Sequence, residues 1–99
     1  MLDHLEDINK AFESKARLGI MSVLTVNDEA DFNTLKDWLN LTDGNLASHT
    51  RALENIGYIV AEKKFEGRKP KTSYSATTQG KKAFQAHLQA LESFIKSNL

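Results

Sequence analysis

Apolar residues repeat at the three- and four-residue spacing of an amphipathic helix in several stretches of this chain. These stretches are about 2–13, a segment that follows Ser14, a short segment that begins near residue 31, then 42–57 and 78–97. Ser14, Thr42 and Thr77 precede three of them and are residue types that cap helix N-termini. Gly57 stands where the fourth helix needs a left-handed residue to end. The pattern therefore predicts a mainly helical chain.

Between the last two helices the pattern changes to that of β-strands. Residues 58–65 and 72–77 are rich in β-branched, aromatic and hydroxyl side chains in an extended pattern. Residues 66–71 link them, and Gly67 in this link is free to take a positive φ. We therefore predict a β-hairpin with a basic tip over about 58–77.

The helix predicted for 42–57 has two distinct faces. Its inward stripe is Leu46, Thr50, Leu53 and Ile56. At 100° per residue the opposite face consists of Gly44, Ser48, Arg51 and Asn55, with Asn45, Ala47 and Ala52 at its edges. The shorter helix before it should turn Leu35, Trp38 and Leu39 inward. Two short helices joined at Asn40 and Leu41 are typical of a helix-turn-helix, which we place at about 31–57.

Composition limits the class of protein. The chain has 99 residues, no cysteine and a formal net charge of zero, which fits one domain without disulfides or thiolate chemistry. No apolar run is long enough to cross a bilayer, and the acidic N-terminus is unlike a signal peptide, so we expect a cytoplasmic protein without a membrane partner. The charge is uneven: residues 58–74 carry +3, whereas residues 1–13 carry −3. The hairpin should attract phosphate while the N-terminal end repels it.

Catalytic and metal-binding patterns are missing from the sequence. The histidines are His4, His49 and His87, and no two have the i, i+4 spacing of a helical metal site. We interpret His49 as a partly buried hydrogen-bonding residue. The sequence contains no Gly-rich phosphate loop, nucleophile elbow or paired-carboxylate motif. We therefore expect no enzyme activity, no cofactor and no metal.

The polar helix and the basic hairpin together favour DNA binding. Arg and Asn side chains can make bidentate contacts with base edges, and clustered cations bind phosphates. A polar helix face is often only solvated, but such a face more commonly carries Lys and Glu. Phe65 and Tyr74 could stack on bases, although we favour a cross-strand core pair. The candidate DNA-binding residues are Gly44, Asn45, Ser48, Arg51, Lys64, Arg68, Lys69 and Lys71.

A family resemblance supports this interpretation. Most of positions 16–84 is covered by the segments ARLGIMSVL, DFNTLKDWLNLTDGNLASHTRALENIGYI and KKFEGRKPKTSYSATTQGKKAF. In this order they resemble the winged-helix transcription regulators related to the MarR and ArsR groups, above all their small single-domain branch. The resemblance implies a homodimer on duplex DNA, with helix 42–57 in the major groove and the 63–73 hairpin as the wing. It places contacts at Asn45, Ser48, Arg51, Arg68, Lys69 and Lys71.

The two end helices carry more apolar residues than one small core needs. We expect this surplus to form a dimer interface made of Leu2, Leu5, Ile8, Phe12, Leu88, Leu91, Phe94 and Ile95. The predicted fold is thus α+β: a single winged helix-turn-helix domain over 1–99, with extra helices at both ends. The predicted function is sequence-specific binding of double-stranded DNA by a homodimeric transcriptional regulator. The alternative is a winged-helix adaptor for other proteins, and the sequence leaves a small-molecule effector unknown.

Overall fold

The computed structural model describes residues 9–99, which form helices and one small antiparallel sheet. A 3₁₀ turn at Lys10–Phe12 precedes the first α-helix. The elements that follow are α1 (Lys15–Val26), β1 (Ala30–Asp31), α2 (Phe32–Leu39), α3 (Asp43–Ile56), β2 (Ile59–Glu66), β3 (Lys69–Ala76) and α4 (Thr78–Ser97).

The sheet has the strand order β1-β3-β2, and both pairings are antiparallel. The hairpin of β2 and β3 is in register from the pair Ile59 and Ala76 to the pair Glu66 and Lys69. The two-residue strand β1 pairs only with Ser73 and Tyr74 near the base of the hairpin. This is the predicted α+β architecture, in which a helix-turn-helix is followed by a wing and a long C-terminal helix.

The predicted capping residues begin and end the helices. The side-chain oxygens of Ser14, Thr42 and Thr77 each accept a hydrogen bond from the amide three residues further on, at 3.3, 3.2 and 2.9 Å. Gly57 takes the left-handed conformation, with φ 92°, at the end of α3. Each cap satisfies a backbone group that the helix itself leaves free, so these boundaries follow from local sequence.

The core lies among α1, α2, α3 and the base of the hairpin. Its apolar members are Phe12, Ile20, Met21, Leu24, Ala30, Leu35, Leu46, Leu53, Ile59, Tyr74 and Phe84. Phe12 is only 3% exposed, and its ring packs against Tyr58, Phe84 and His87 with centroids 5.1–5.7 Å away. The prediction that Phe12 lies in a dimer interface is therefore wrong, because this residue belongs to the core of the single chain.

Three expectations about the helices need correction or fall outside the described residues. Residues 2–8 of the helix predicted for 2–13 lie outside the described part of the chain, and among residues 9–13 the structure has only the 3₁₀ turn at Lys10–Phe12. The prediction that Trp38 faces inward is wrong, because its side chain is 63% exposed. Phe32, Leu35 and Leu39 fall within about 60° of one another on the α2 wheel, which places Trp38 well to one side. Ile56, in the last turn of α3, is also exposed.

The start of α4 is fastened to the junction between α3 and β2. The Thr77 amide donates to the Tyr58 carbonyl at 3.0 Å, and the Thr77 hydroxyl donates to the Gly57 carbonyl at 2.7 Å. A Cβ atom on Gly80 would lie 2.0 Å from the Tyr58 carbonyl oxygen, so only glycine allows the two backbones to approach this closely. This contact fixes the point at which the hairpin leaves the body of the protein.

Candidate nucleic-acid interface

The outer face of α3 is polar and open to solvent. Gly44, Asn45, Ser48 and Arg51 are all exposed. Leu46, Thr50 and Leu53 on the opposite face are buried in the core. The structure therefore brings the four candidate residues of this helix together on one accessible side. Among residues 9–99, no atom outside the helix lies within 4 Å of a Cβ placed on Gly44, so this part of the chain leaves that end of the face unobstructed.

The turn before α3 sets its angle to α2. Asn40 is the only non-glycine residue with positive φ in the described part of the chain, at φ 53° and ψ 50°. The Leu41 amide then donates to the Lys36 carbonyl at 3.0 Å. Lys36 also forms a 3.0 Å ion pair with Asp43 in the first turn of α3. Asn tolerates the left-handed conformation better than most residues, so the turn is encoded locally.

A side-chain contact ties α3 to α1. Arg17 Nε donates a hydrogen bond to His49 Nδ1 at 3.1 Å. His49 is half-buried and accepts this hydrogen bond, which confirms the interpretation of His49 as a partly buried hydrogen-bonding residue. The contact restrains α3 beside its exposed polar face, since His49 and Asn45 line the same groove.

The hairpin is longer and tighter than predicted. The strands continue to Glu66 and resume at Lys69, so Gly67 and Arg68 alone form the turn, and the predicted link of 66–71 was too long. Gly67 has φ 65°, whereas Arg68 is not in the positive region. Glycine at the first central position is typical of a type II′ turn, which matches the twist of the two strands. The tip is therefore a narrow, well-defined projection.

The cations of the wing fall into two groups. Arg68 and Lys69 are exposed at the tip and make no ion pair within residues 9–99. Lys63 is exposed further back on β2. These side chains are free to meet a phosphate, and at the tip nothing within the described residues competes for them.

Lys64 and Lys71 already have carboxylate partners. Lys64 Nζ lies 2.7 Å from Glu29, and Lys71 Nζ lies 3.4 Å from Asp31 and also pairs with Glu66. The hydrogen bond that Lys64 donates to Glu29 raises the pKa of Lys64, and the one that Lys71 donates to Glu66 raises the pKa of Lys71. Both lysines thus stay charged, but each would have to exchange a carboxylate for a phosphate.

Glu29 and Asp31 are members of this site that sequence reasoning missed. In the sequence, the stretch NDEAD indicates only a break between helices. However, Glu29, Ala30 and Asp31 alternate between charged and apolar, which is typical of a short strand with one buried residue. In the structure Ala30 is that buried residue, in β1. Asp31 also caps α2: the Thr34 amide donates to it at 2.8 Å and lowers the pKa of this carboxyl, with a smaller contribution from Lys71.

The proposed cross-strand core pair of Phe65 and Tyr74 is wrong. In the observed register Tyr74 lies opposite Ala61, and Phe65 lies opposite Pro70. Tyr74 is buried at the base of the hairpin, whereas Phe65 is 72% exposed near its tip. Together with Trp38 it borders a groove between α2 and the wing.

An apolar stripe follows the C-terminal half of α4. Leu88 is 46% exposed and Ile95 is 57% exposed, while Leu91 and Phe94 are half-buried. Of the remaining predicted interface residues, Leu2, Leu5 and Ile8 lie outside the described part of the chain. The C-terminal half of the predicted interface is therefore an accessible surface of the single chain.

Some kinds of site do not occur among residues 9–99. No three His, Cys, Asp or Glu side chains in this range are placed so that they could hold a metal ion. No helix in the same range is both long and apolar enough to cross a membrane.

His87, buried in the core, accepts a hydrogen bond from the Asn9 amide at 3.2 Å, and burial lowers its pKa.

Comparison with known proteins places this geometry in context. Residues 16–95 match the family model described as winged helix DNA-binding domain. An uncharacterised protein of Methanocaldococcus jannaschii is 34% identical over 88 residues, which are 89% of this chain and 96% of that protein. A transcriptional regulator homologue from Pyrococcus horikoshii OT3 superposes with TM-score 0.87 at 33% identity and 95% coverage of both chains.

More distant structures share the fold. YusO from Bacillus subtilis has TM-score 0.83 at 16% identity, covering 98% of this chain and 68% of that one. Reduced AbfR, solved bound to DNA, has TM-score 0.75 at 16% identity and covers 91% of this chain and 64% of its own. The helix-turn-helix, the wing and the long last helix are thus arranged as in these proteins, one of which was solved bound to DNA.

Proposed function

We propose that this chain, which belongs to the family of winged helix DNA-binding domains, is a transcriptional regulator that binds duplex DNA sequence-specifically as a homodimer. One observation carries the proposal. The helix α3, which carries the exposed polar face, is separated by two residues from a hairpin whose tip carries two cations without an ion pair in the described chain. The role is one of binding rather than catalysis, and the cytoplasm remains the expected location.

In this proposal α3 enters the major groove and reads bases. Arg51 can contact guanine through two hydrogen bonds, and Asn45 can contact adenine in the same way. Ser48 is short enough to donate or accept at either base type. Gly44 carries no side chain that would hold the helix away from the groove, and the space around it is open.

The wing supplies contacts with the DNA backbone. Arg68 and Lys69 meet phosphates directly, because each is exposed and has no competing carboxylate within the described residues. Lys64 and Lys71 join them by exchanging their carboxylate partners for phosphate. Exposed ion pairs contribute only about 0–1 kcal/mol, so this exchange is nearly neutral. Backbone contacts position the protein without selecting a sequence.

Dimerisation follows from the apolar stripe on α4. Exposed Leu88 and Ile95, flanked by Leu91 and Phe94, can pair with the same stripe on a second copy around a two-fold axis. Burying such side chains contributes about 1.5–3 kcal/mol each. A symmetric dimer would present two copies of α3 to successive major grooves, so its site would be an inverted repeat. No effector can be assigned from these surfaces.

Selection of binding sites from a random duplex pool tests the proposal. Wild-type protein should enrich an inverted repeat with half-sites about one helical turn apart. Arg51→Ala should change the preferred base at one position of each half-site, at about 1–3 kcal/mol of lost discrimination. Glu54→Ala is the matched control, since Glu54 is exposed on α3 outside the proposed reading face. A wild-type pool without any common sequence, or identical sites for wild type and Arg51→Ala, would refute base reading by α3.

A second candidate function has one observation in its favour. Trp38 and Phe65 are large, exposed and border the same groove between α2 and the wing. Exposed aromatic residues are common at protein interfaces, which is the feature that an adaptor would use. If the selection experiment yields no duplex that binds, this groove is the surface on which a protein partner should be sought.

A further inference from the structure

Phe65 is a large apolar side chain at the part of the wing furthest from the core. Only Ile59 of β2 is fully buried, and the residues that follow it are exposed or half-buried. Phe65 is separated from the Gly67–Arg68 turn by a single residue and is 72% exposed. Phe65 is not part of the core of the described residues, and it borders the groove that Trp38 also lines, so its ring is available to a partner.

Pro70 stiffens the strand directly opposite Phe65. The two residues are register partners, one step from the Glu66–Lys69 pair that closes the turn. Hydrogen-bonded and non-hydrogen-bonded pairs alternate in such a ladder, so Phe65 and Pro70 form a non-hydrogen-bonded pair with closely spaced side chains on one face. Proline has no N–H and is tolerated at this position without loss of a ladder bond. The pair is therefore a rigid apolar unit.

Positive charge lies on the tip side of this apolar unit, whereas Glu66 next to Phe65 pairs with Lys71, and Glu29 and Asp31 line the groove that Phe65 borders. Arg68 follows in the turn and Lys69 is the immediate neighbour of Pro70, both exposed. An apolar protein partner would not need these cations so close, whereas a nucleic acid does, because phosphates flank each step of stacked bases. A rigid apolar unit beside the exposed cations Arg68 and Lys69 has the chemistry of the side chains that enter a DNA minor groove and part neighbouring base pairs.

We propose that Phe65, supported by Pro70, is a wedge that the wing inserts from the minor groove between two stacked base pairs, bending the duplex. This inference rests on the proposed function, since it requires that the chain binds DNA. Pyrimidine–purine steps such as TA and CA unstack most easily. The wing should therefore prefer such a step beneath it, although it makes no hydrogen bond to the bases there.

The opposite preference would follow if Arg68 alone entered the groove. Arginine inserted into a minor groove favours the narrow, electronegative groove of a stiff A-tract. The two mechanisms thus select different sequences under the wing. The base step that the protein prefers under the wing therefore distinguishes the two mechanisms, whatever its overall affinity for DNA.

The experiment uses full-length wild type, Phe65→Ala and Phe65→Leu on a duplex recovered from random-pool selection. Val60→Ala is the matched control, because Val60 is also an exposed apolar residue of β2 but lies near the base of the hairpin. Kd is measured with a TA step and with an A-tract under the wing. The fluorescence of 2-aminopurine at that step reports unstacking, and thermal unfolding verifies that each variant is folded.

Wild type and Val60→Ala should bind the TA duplex about tenfold more tightly than the A-tract duplex, and 2-aminopurine should brighten on binding. Phe65→Ala should bind both duplexes equally without brightening, while Phe65→Leu should retain part of the preference. Equal Kd values for wild type and Phe65→Ala on the TA duplex, or a wild-type preference for the A-tract, overturn the wedge while leaving DNA binding intact. If the random-pool selection recovers no duplex that wild-type protein binds, the proposed function itself is overturned.

Discussion

Replacing Gly80 by alanine should destabilise the protein, although helix propensity alone predicts the reverse. Gly80 lies in the first turn of α4 and does not have a positive φ, so alanine can adopt its backbone conformation. The added methyl group, however, would lie 2.0 Å from the Tyr58 carbonyl oxygen and 2.8 Å from the carbonyl carbon. Since both are backbone atoms, no side chain can rotate away, and α4 must move relative to the junction that it holds.

The magnitude is the difference between two effects of opposite sign. Alanine in place of glycine stabilises a helix by about 1 kcal/mol. Forcing an extra methyl group into a tightly packed site destabilises by about 1–3 kcal/mol, and a backbone obstacle places Gly80 at the upper end of that range. The expected net loss is about 2 kcal/mol. For a chain of this length, a loss of this size lowers Tm by roughly 10 °C.

Gly44→Ala is the matched comparison for the stability measurement. Gly44 also lies in the first turn of a helix, but no atom of another described element lies within 4 Å of the position that an added methyl group would occupy. It should therefore gain about 0.5–1 kcal/mol in the free energy of unfolding. Urea unfolding followed by circular dichroism, together with Tm, measures both variants. A Gly80→Ala protein at least as stable as wild type would show that the approach to Tyr58 does not constrain α4.

Further measurements address charge, pH and assembly. Replacing Arg68 and Lys69 by alanine should weaken binding to all duplexes alike and reduce the salt slope by about 0.9 for each lost phosphate contact; an unchanged slope would remove the wing from the interface. Burial lowers the pKa of His87, so as pH falls below about 6.5 this histidine is protonated in the unfolded chain before it is protonated in the folded one. The contribution of neutral His87 to the free energy of unfolding should therefore be fully present above that pH and decrease below it by at most about 1.4 kcal/mol per pH unit. In His87→Gln the urea midpoint should depend less on pH than in wild type. Leu88→Glu combined with Ile95→Glu should yield monomers in sedimentation that bind DNA weakly, whereas a wild type that is already monomeric at tens of micromolar would refute the α4 interface.

The sequence predicted those parts of the fold that local interactions determine. Ser14, Thr42 and Thr77 cap their helices through hydrogen bonds that reach only three residues along the chain. Gly57 ends α3 because the left-handed conformation suits glycine. The alternation of apolar and polar residues on α3 assigned its two faces, since a single helix determines that pattern by itself.

Predictions that depended on tertiary neighbours were less successful. Trp38 is apolar and near the inward positions of α2, but the helix has only eight residues, and Leu35 and Leu39 already occupy its inward side. The position of Phe65 depended on the hairpin register, which the two-residue turn sets. With the longer link that the sequence indicated, its partner could not be identified. A shift in register changes the partner of every residue in a strand.

The pairing of wing cations bears on how a chain of zero net charge would bind DNA selectively. Lys64 and Lys71 each hold a carboxylate, so the cations that their phosphate contacts release from the DNA are largely offset by cations attracted to the freed carboxylates. Arg68 and Lys69 remain as the full contributors, roughly two phosphate contacts per wing. Such a small electrostatic contribution gives weak affinity for arbitrary duplexes, and the acidic partners Glu29 and Asp31 reduce it further. Tight binding would then require the additional contacts that only the correct bases provide to α3, which favours discrimination over non-specific occupancy.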